Sequence, residues 1–386
     1  MRMIQRRRDS RRRGVAAVFV VVCLVTLMGF AALTVDVGAL YNTRNELQRS
    51  ADAAALAGAL SLMKQDRVMG GSTLTGIIND AHTEASDYVS ANKIGKTTIT
   101  ANSGDIKIGY LADPTSSTES LDFSTPSRYN AVSVLVRRDE TANGPIDLMF
   151  AWIFGHKTTK VTASGTAALM DGITGWKVTG ETGNAGLLPL ALRKQSWLDY
   201  LGGTLGSGDN YSYDEATGAV TPGPDGIIEL NLYPGSGSGQ LPPGNFGTVD
   251  IGSPGNSTAD LSRQIREGVN EDDLSYFGGE LKLGSDGTLI LNGDTGLSAG
   301  IKDDLTSIIG MPRAIPIFTT VSGPGNNANF TVVGFVGIRI MYVKLTGSMS
   351  SKKVLIQPAV LIDDAAQTGP SNGESYFVYQ PVRLVR

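Results

Sequence analysis

The sequence predicts an α+β protein: a single N-terminal transmembrane helix continuing into a long helix packed on a small β-sheet, followed by a β-rich extracytoplasmic domain. Three observations carry this. An uncharged apolar run stands directly behind an arginine cluster. A proline-free stretch of good helix formers follows it. Beyond residue 100, Gly, Ser, Thr, Asn and Asp separate short β-branched runs, the composition of strands joined by turns.

The apolar run is Val15–Val35, with Val15, Phe19, Cys23, Phe30 and Val35 among its anchor residues. At about 1.5 Å per residue it crosses a hydrocarbon core of roughly 30 Å. A cleaved secretory signal has an apolar core of about 7–15 residues, so this segment reads as a retained span in contact with membrane lipid. The arginines of residues 1–13 hold their end in the cytoplasm, and Asp36 falls outside, giving N-in/C-out topology. A basic arm for nucleic acid is the competing reading of the arginines; their place against the span argues for no nucleic-acid partner. Past residue 13 acids outnumber bases.

Asp36–Met63 predicts continued helix. Leu40, Leu47 and Ala54 recur at seven-residue spacing, and nearly every side chain from Ala51 to Ala59 is small. Leu47, Ala51, Ala54, Ala55 and Gly58 form the helix-packing motif. It serves either the protein's own sheet or self-association through the N-terminal helix.

Further along, 77–92 predicts a helix and 99–110 a strand, turn and strand around Ser103-Gly104. A loop at 113–128 precedes a strand from Ala131. Residues 187–192, 227–232, 288–291, 313–320, 330–345 and 353–362 read as strands. Residues 202–223 read as a Gly-rich loop, 235–244 as an exposed linker, and 258–267 as a helix starting at Ser257 or Thr258. Phe330–Leu345 is too interrupted for a second span, because Arg339 and Lys344 would each cost about 2.5–3.5 kcal/mol at mid-membrane. It predicts a core strand bent at Gly334 or Gly337. The organisation is thus 1–14 basic cytoplasmic leader, 15–35 transmembrane helix, 36–170 helix plus sheet, and 171–386 Gly-rich and β-rich.

No catalytic, cofactor-binding or metal-ligating residues are assigned. Cys23 is the lone cysteine, and His82 and His156 stand far apart with no cysteine near, which argues against zinc. Gly235–Gly239, Gly-Ser-Gly-Ser-Gly, comes near GxSxG, but Gly237 stands where the serine is needed, and the stretch lies in a Gly/Ser linker, not the strand–Ser–helix context of a nucleophile elbow. Asp286-Gly287, Asn292-Gly293-Asp294 and Asp363-Asp364 read as turn chemistry, with calcium as the alternative. Tyr211, Tyr213, Tyr233, Phe246, Tyr276 and Phe277 are either a surface-binding patch or scattered core and rim.

An Arg-rich leader, Gly14, an apolar helix, Asp36-Val37-Gly38, Leu40-Tyr41, Leu47-Gln48 and Ala51-Asp-Ala-Ala-Ala-Leu-Ala-Gly-Ala59 together resemble the TadE/TadG-like proteins of Flp pilus (tight adherence) assembly. Residues 130–170 are similar as well, as are, more weakly, Gly244–Gly247, Ile265–Gly268, Ile315–Ile317 and Gly334-Phe335. The resemblance implies a non-enzymatic component of the bacterial cytoplasmic membrane that supports adhesion or secretion, with other Tad/Flp pilus subunits as partners. Gly14-Val15 is the candidate processing site. Pilins and TadE-like pseudopilins carry Glu five residues after the processing glycine, whereas Phe19 stands here, as in the TadG branch. The expectation is therefore an uncleaved anchor. The alternatives are a minor pseudopilin processed after Gly14, and an envelope-anchored binding or adhesin module unrelated to pili. The DxSxS metal motif of some TadG proteins does not occur in the sequence.

Overall fold

A computed structural model describes residues 3–63, 72–114, 116, 118–233, 241, 244–252, 255, 257–323, 325–369 and 374–386, with side chains at most of them from residue 16 onward. Helix α1 (Met3–Ser61) is a single unbroken element. Helix α2 (Ser72–Ala91) turns back against its second half. Strands β1 (Ile106–Gly109) and β2 (Ala131–Arg138) follow. Next come the small hairpin β3 (Ile146–Asp147) and β4 (Thr158–Thr159), and then β5 (Val161–Met170).

The remainder is mostly strand. It runs β6 (Ile173–Trp176), β7 (Leu190–Arg193), α3 (Lys194–Leu201), the hairpin β8 (Tyr211–Asp214) and β9 (Ala219–Pro222), β10 (Leu230–Asn231) and β11 (Phe246–Val249). Helices α4 (Thr258–Glu267) and α5 (Glu271–Ser275) precede β12 (Leu281–Lys282), β13 (Leu289–Asp294) and α6 (Lys302–Ser307). The chain closes with β14 (Pro312–Ser322), β15 (Ala328–Lys344), β16 (Lys353–Pro358), β17 (Leu361–Ile362), β18 (Ala366–Thr368), β19 (Glu374–Tyr376) and β20 (Val378–Leu384).

The sheet beneath α1 has the order β1-β2-β5-β20-β17. β2 and β5 pair antiparallel without a break from Ala131↔Ala168 to Arg138↔Val161. The last strand of the chain, β20, lies beside β5 and puts Tyr379 into the core under α1. In the larger sheet, pairings β15–β13, β13–β11, β11–β7, β7–β14 and β14–β15 close a ring of strands. Val249, Leu291, Phe318, Phe330 and Val332 belong to one of its cores. Phe318 meets Phe330 edge to face, with ring centres 4.9 Å apart.

Several expectations need correction in detail. Residues 99–102 form no strand: Ser103–Asp105 is a 3-10 turn in which the Asp105 carboxylate accepts the Asn102 N–H, and the strand is Ile106–Gly109, with Tyr110 bridging to Asp122. The loop 202–223 contains β8 and β9, closed by a turn in which Asp214 accepts from Ala216 N–H and Thr217 Oγ1. Pro358 ends β16, and β17 joins a different sheet, so 353–362 is two strands. α3 was unforeseen; it buries Trp197 and Tyr200. Helix 258–267 has Ser257 as its cap, accepting from Asp260 N–H. Phe330–Lys344 lies within the core strand β15, which ends one residue before Leu345, and the register between β14 and β15 shifts beside Gly334. Arg339 is buried there with its guanidinium 3.3 Å from the Tyr213 ring centre, and its Nε donates to the Gly310 carbonyl at 2.8 Å.

Candidate functional site: the anchor helix and the loop it holds

α1 divides into two halves of different chemistry. From Val18 to Val35 its large apolar side chains, Phe19 and Phe30 included, are exposed, and Cys23 is exposed too. The helix is long and apolar enough to cross a membrane, and none of its most apolar window is covered by the rest of the chain. Gly14 and Val15 lie inside the helical run, and their side chains are outside the described residues.

The second half sits on protein. Leu47, Ala51, Ala54, Ala55 and Gly58 are all buried within this chain. They pack against Ala81 and Ala85 of α2 and against Val132, Ala163 and Ala167 of the sheet. Small side chains are needed because the backbones nearly touch. A Cβ at Gly58 would meet the Ala81 carbonyl at 2.9 Å and Val132 at 3.0 Å. One at Gly165 would meet the backbone of Ala51 and Asp52 at 2.9 Å. The stripe is thus occupied inside the chain.

Polar ties run down the same half. Glu46 Oε2 accepts the Gly95 N–H at 2.7 Å. Gln48 Nε2 donates to the Ser164 carbonyl and to Asp52, both at 2.8 Å. Nearest the apolar half, the Asp36 carboxylate accepts three backbone N–H groups, from Met149 at 2.7 Å, Phe150 at 2.9 Å and Ala151 at 2.7 Å. Asp36 is only 3% exposed. Burial pushes its pKa up, but the donors of Phe150, Ala151 and Met149 together outweigh burial and hold the carboxyl below its usual value.

The segment so held is itself unusual. It lies between β3 and β4, with Leu148 N–H donating to the Lys157 carbonyl at 2.9 Å, and forms a 3-10 turn at Ala151–Phe154. Gly155, at φ +87°, ends that turn, and its N–H donates to Trp152. Met149, Trp152, Ile153 and Phe154 point away from the protein and are exposed. In the sequence this stretch is visible as an apolar segment ending in Phe154-Gly155. Its attachment to Asp36 is not, because residues so far apart in sequence carry no local signal of contact.

Other sequence candidates are dispersed. His82 Nε2 lies 3.4 Å from the Ser103 carbonyl, and His156 is exposed in the turn after Gly155. Tyr211 stacks on Tyr342, Tyr213 on Arg339, and Tyr233 and Phe246 are buried, while Tyr276 is exposed. These aromatics make no common patch. The Asp286 carboxylate accepts from Thr288, and Asp363 accepts N–H groups of Gly186 at 2.6 Å and Ala365 at 2.8 Å. Asp209, Asp225 and Glu229 likewise receive backbone N–H donors. Among the described residues, no group of three or more His, Cys, Asp and Glu is placed to hold a metal ion. The Gly-Ser-Gly-Ser-Gly stretch at 235–239 lies outside the described residues.

A helix with one uncovered apolar half and one half seated on a sheet defines a membrane-anchored α+β protein. Comparison with protein families sharpens this. The TadE/G-like Flp pilus-assembly model matches residues 14–61, and the Tad-like Flp pilus-assembly model matches residues 38–167. The N-terminal part of the chain, residues 14–167, is accordingly similar to TadE/TadG-like Flp pilus-assembly proteins, and residues 168–386 lie outside both matches. No curated protein and no solved structure matches the chain significantly.

Proposed function

We propose that the protein is a non-enzymatic, membrane-anchored component of a Flp/Tad-type pilus assembly system that supports adhesion or secretion. One observation carries the reading: a single helix joins an uncovered apolar half to a small-residue half seated on a sheet, across the region that two pilus-assembly models match. Its partners are membrane lipid and other Tad/Flp subunits. Because Leu47, Ala51 and Gly58 are occupied inside the chain, subunit contacts on α1 fall to its exposed side, around Val37, Tyr41 and Arg44. Deleting the gene and imaging surface pili tests the reading; unchanged pili, adherence and secretion would refute it.

The chain is further proposed to sit N-in/C-out in the bacterial cytoplasmic membrane, with Val15, Phe19, Cys23, Phe30 and Val35 facing lipid. Its proposed units are 1–14, 15–35, 36–170 together with the returning β20, and the rest of 171–386. Arginines kept at the cytoplasmic face support an uncleaved leader. Reporter fusions beyond residue 60 check the orientation: a periplasm-active reporter must be active there. The pseudopilin reading has one observation in its favour, the unbroken α1 with a wholly uncovered first half. Intact mass of the native protein separates the two, since a dominant species starting at Val15 would establish processing after Gly14.

A further inference from the structure

The geometry points to a second membrane contact: Met149, Trp152, Ile153 and Phe154 form an apolar wedge that enters the interfacial layer of the bilayer that α1 crosses. This rests on the reading of α1 as a span.

The position of the wedge follows from hydrogen bonds. Gln48 of α1 binds Ser164 of β5, and Gly165 lies against Ala51 and Asp52. From there, going back along the chain, β5 ends at Val161 and the β3–β4 hairpin continues down the helix. It reaches Asp36, which takes the N–H groups of residues 149–151. Gln48 to Asp36 is about 18 Å along a helix axis. Asp36 directly follows Val35, the last residue of the apolar run. The carboxylate therefore fixes the loop at the level where the span leaves hydrocarbon.

The chemistry suits that level. Trp152 is 58% and Phe154 73% exposed, a poor arrangement in water for rings of this size and one that belongs at a lipid–water boundary. Trp176 and Trp197, the other two tryptophans, are fully buried. Exposed Lys157 and Lys160 follow the wedge, within reach of headgroup phosphates. Exposed Tyr41 stands about 9 Å above Val35 on α1, at the headgroup level. The 3-10 turn, Gly155 and the three bonds to Asp36 pre-order the loop, so little freedom remains to be lost on insertion. Two anchors, the span and a loop tied to it at Asp36, would also hold the domain at a fixed tilt, which a lone span leaves open.

The test uses the full chain reconstituted in phosphatidylethanolamine/phosphatidylglycerol vesicles. The emission of Trp152 is isolated by subtracting the spectrum of Trp152→Phe. It is expected to shift to the blue, to lose quenching by aqueous iodide, and to be quenched more by a shallow doxyl-labelled lipid than by a deep one. A second variant, Trp152→Phe with Phe30→Trp, places a reporter in the span. Lipid quenching at Phe30→Trp together with a water-like, iodide-accessible Trp152 overturns the wedge and leaves the anchor standing. No lipid quenching at Phe30→Trp overturns the anchor reading itself. Iodide protection of Trp152 without lipid quenching means that protein covers the loop, and it also overturns the wedge.

Discussion

The two halves of α1 are equally helical and both rich in apolar residues, yet they are covered in opposite ways. Val18–Val35 presents large side chains on every side and touches none of the chain's own core. Beyond Asp36 the side chains become smaller as burial becomes complete, with Leu47 and Ala51 fully buried. Hydrophobicity therefore does not by itself say what a helix packs against. A large apolar residue on all faces calls for a solvent that surrounds it, and lipid is such a solvent. A one-sided stripe of Ala and Gly calls for a close neighbouring backbone, which α2 and β5 supply.

The contrast is sharpest for paired truncations. Leu47→Ala is expected to destabilise the folded domain by about 2–5 kcal/mol through a cavity in the helix–sheet core. Leu27→Ala, the same chemical change at an exposed site, should leave the domain's unfolding midpoint in detergent unchanged. Equal effects would break the distinction between the halves.

The complementary insertion is a somewhat smaller effect. Gly58→Val must push into the Ala81 carbonyl and Val132 and should cost about 1–3 kcal/mol, read from thermal unfolding. Gly29→Val has nothing within 4 Å in the protein and should be neutral there. Lost stability at Gly29→Val would mean that the first half has a protein partner.

The junction itself gives the third effect. Asp36→Asn removes the charge that gathers three N–H donors. The amides of Met149, Phe150 and Ala151 should then exchange with solvent faster, with little change in global unfolding. The same bonds make a pH signature. A carboxyl whose folded pKa is lowered adds stability that is fully present above the free Asp value of about 3.9 and is lost as pH falls through the folded value. Protection of these three amides in the wild-type protein should therefore fade in acid below about pH 4. Protection that persists in Asp36→Asn would show that the 3-10 turn holds the loop unaided.

The smallest effect is expected at the edge between the two regions. Tyr41→Ala changes an exposed side chain on α1 and should shift the unfolding midpoint by less than about 0.5 kcal/mol. A larger loss, measured in the same detergent, would reveal a contact reaching beyond the chain's own fold.

What could be read from the sequence was what depends on neighbours in the chain. The span is legible because twenty-odd apolar residues behind arginines suit one solvent only. The stripe at Leu47, Ala51 and Gly58, the β-branched strand at Ala131–Arg138 and a helix start at Ser257 or Thr258 are legible because periodicity and capping are local. The motif from Asp36 to Ala59, which carries the resemblance, lies inside the family match over residues 14–61. What only the tertiary structure decided were pairings between distant segments. β20 takes its place beside β5, Phe318 meets Phe330 in a closed ring of strands, and Asp36 receives the amides of Met149, Phe150 and Ala151. None of these leaves a local pattern. A strand's partner is set by which backbone edge remains unpaired, and a carboxylate's donors by which loop reaches it, and both are properties of the assembled chain.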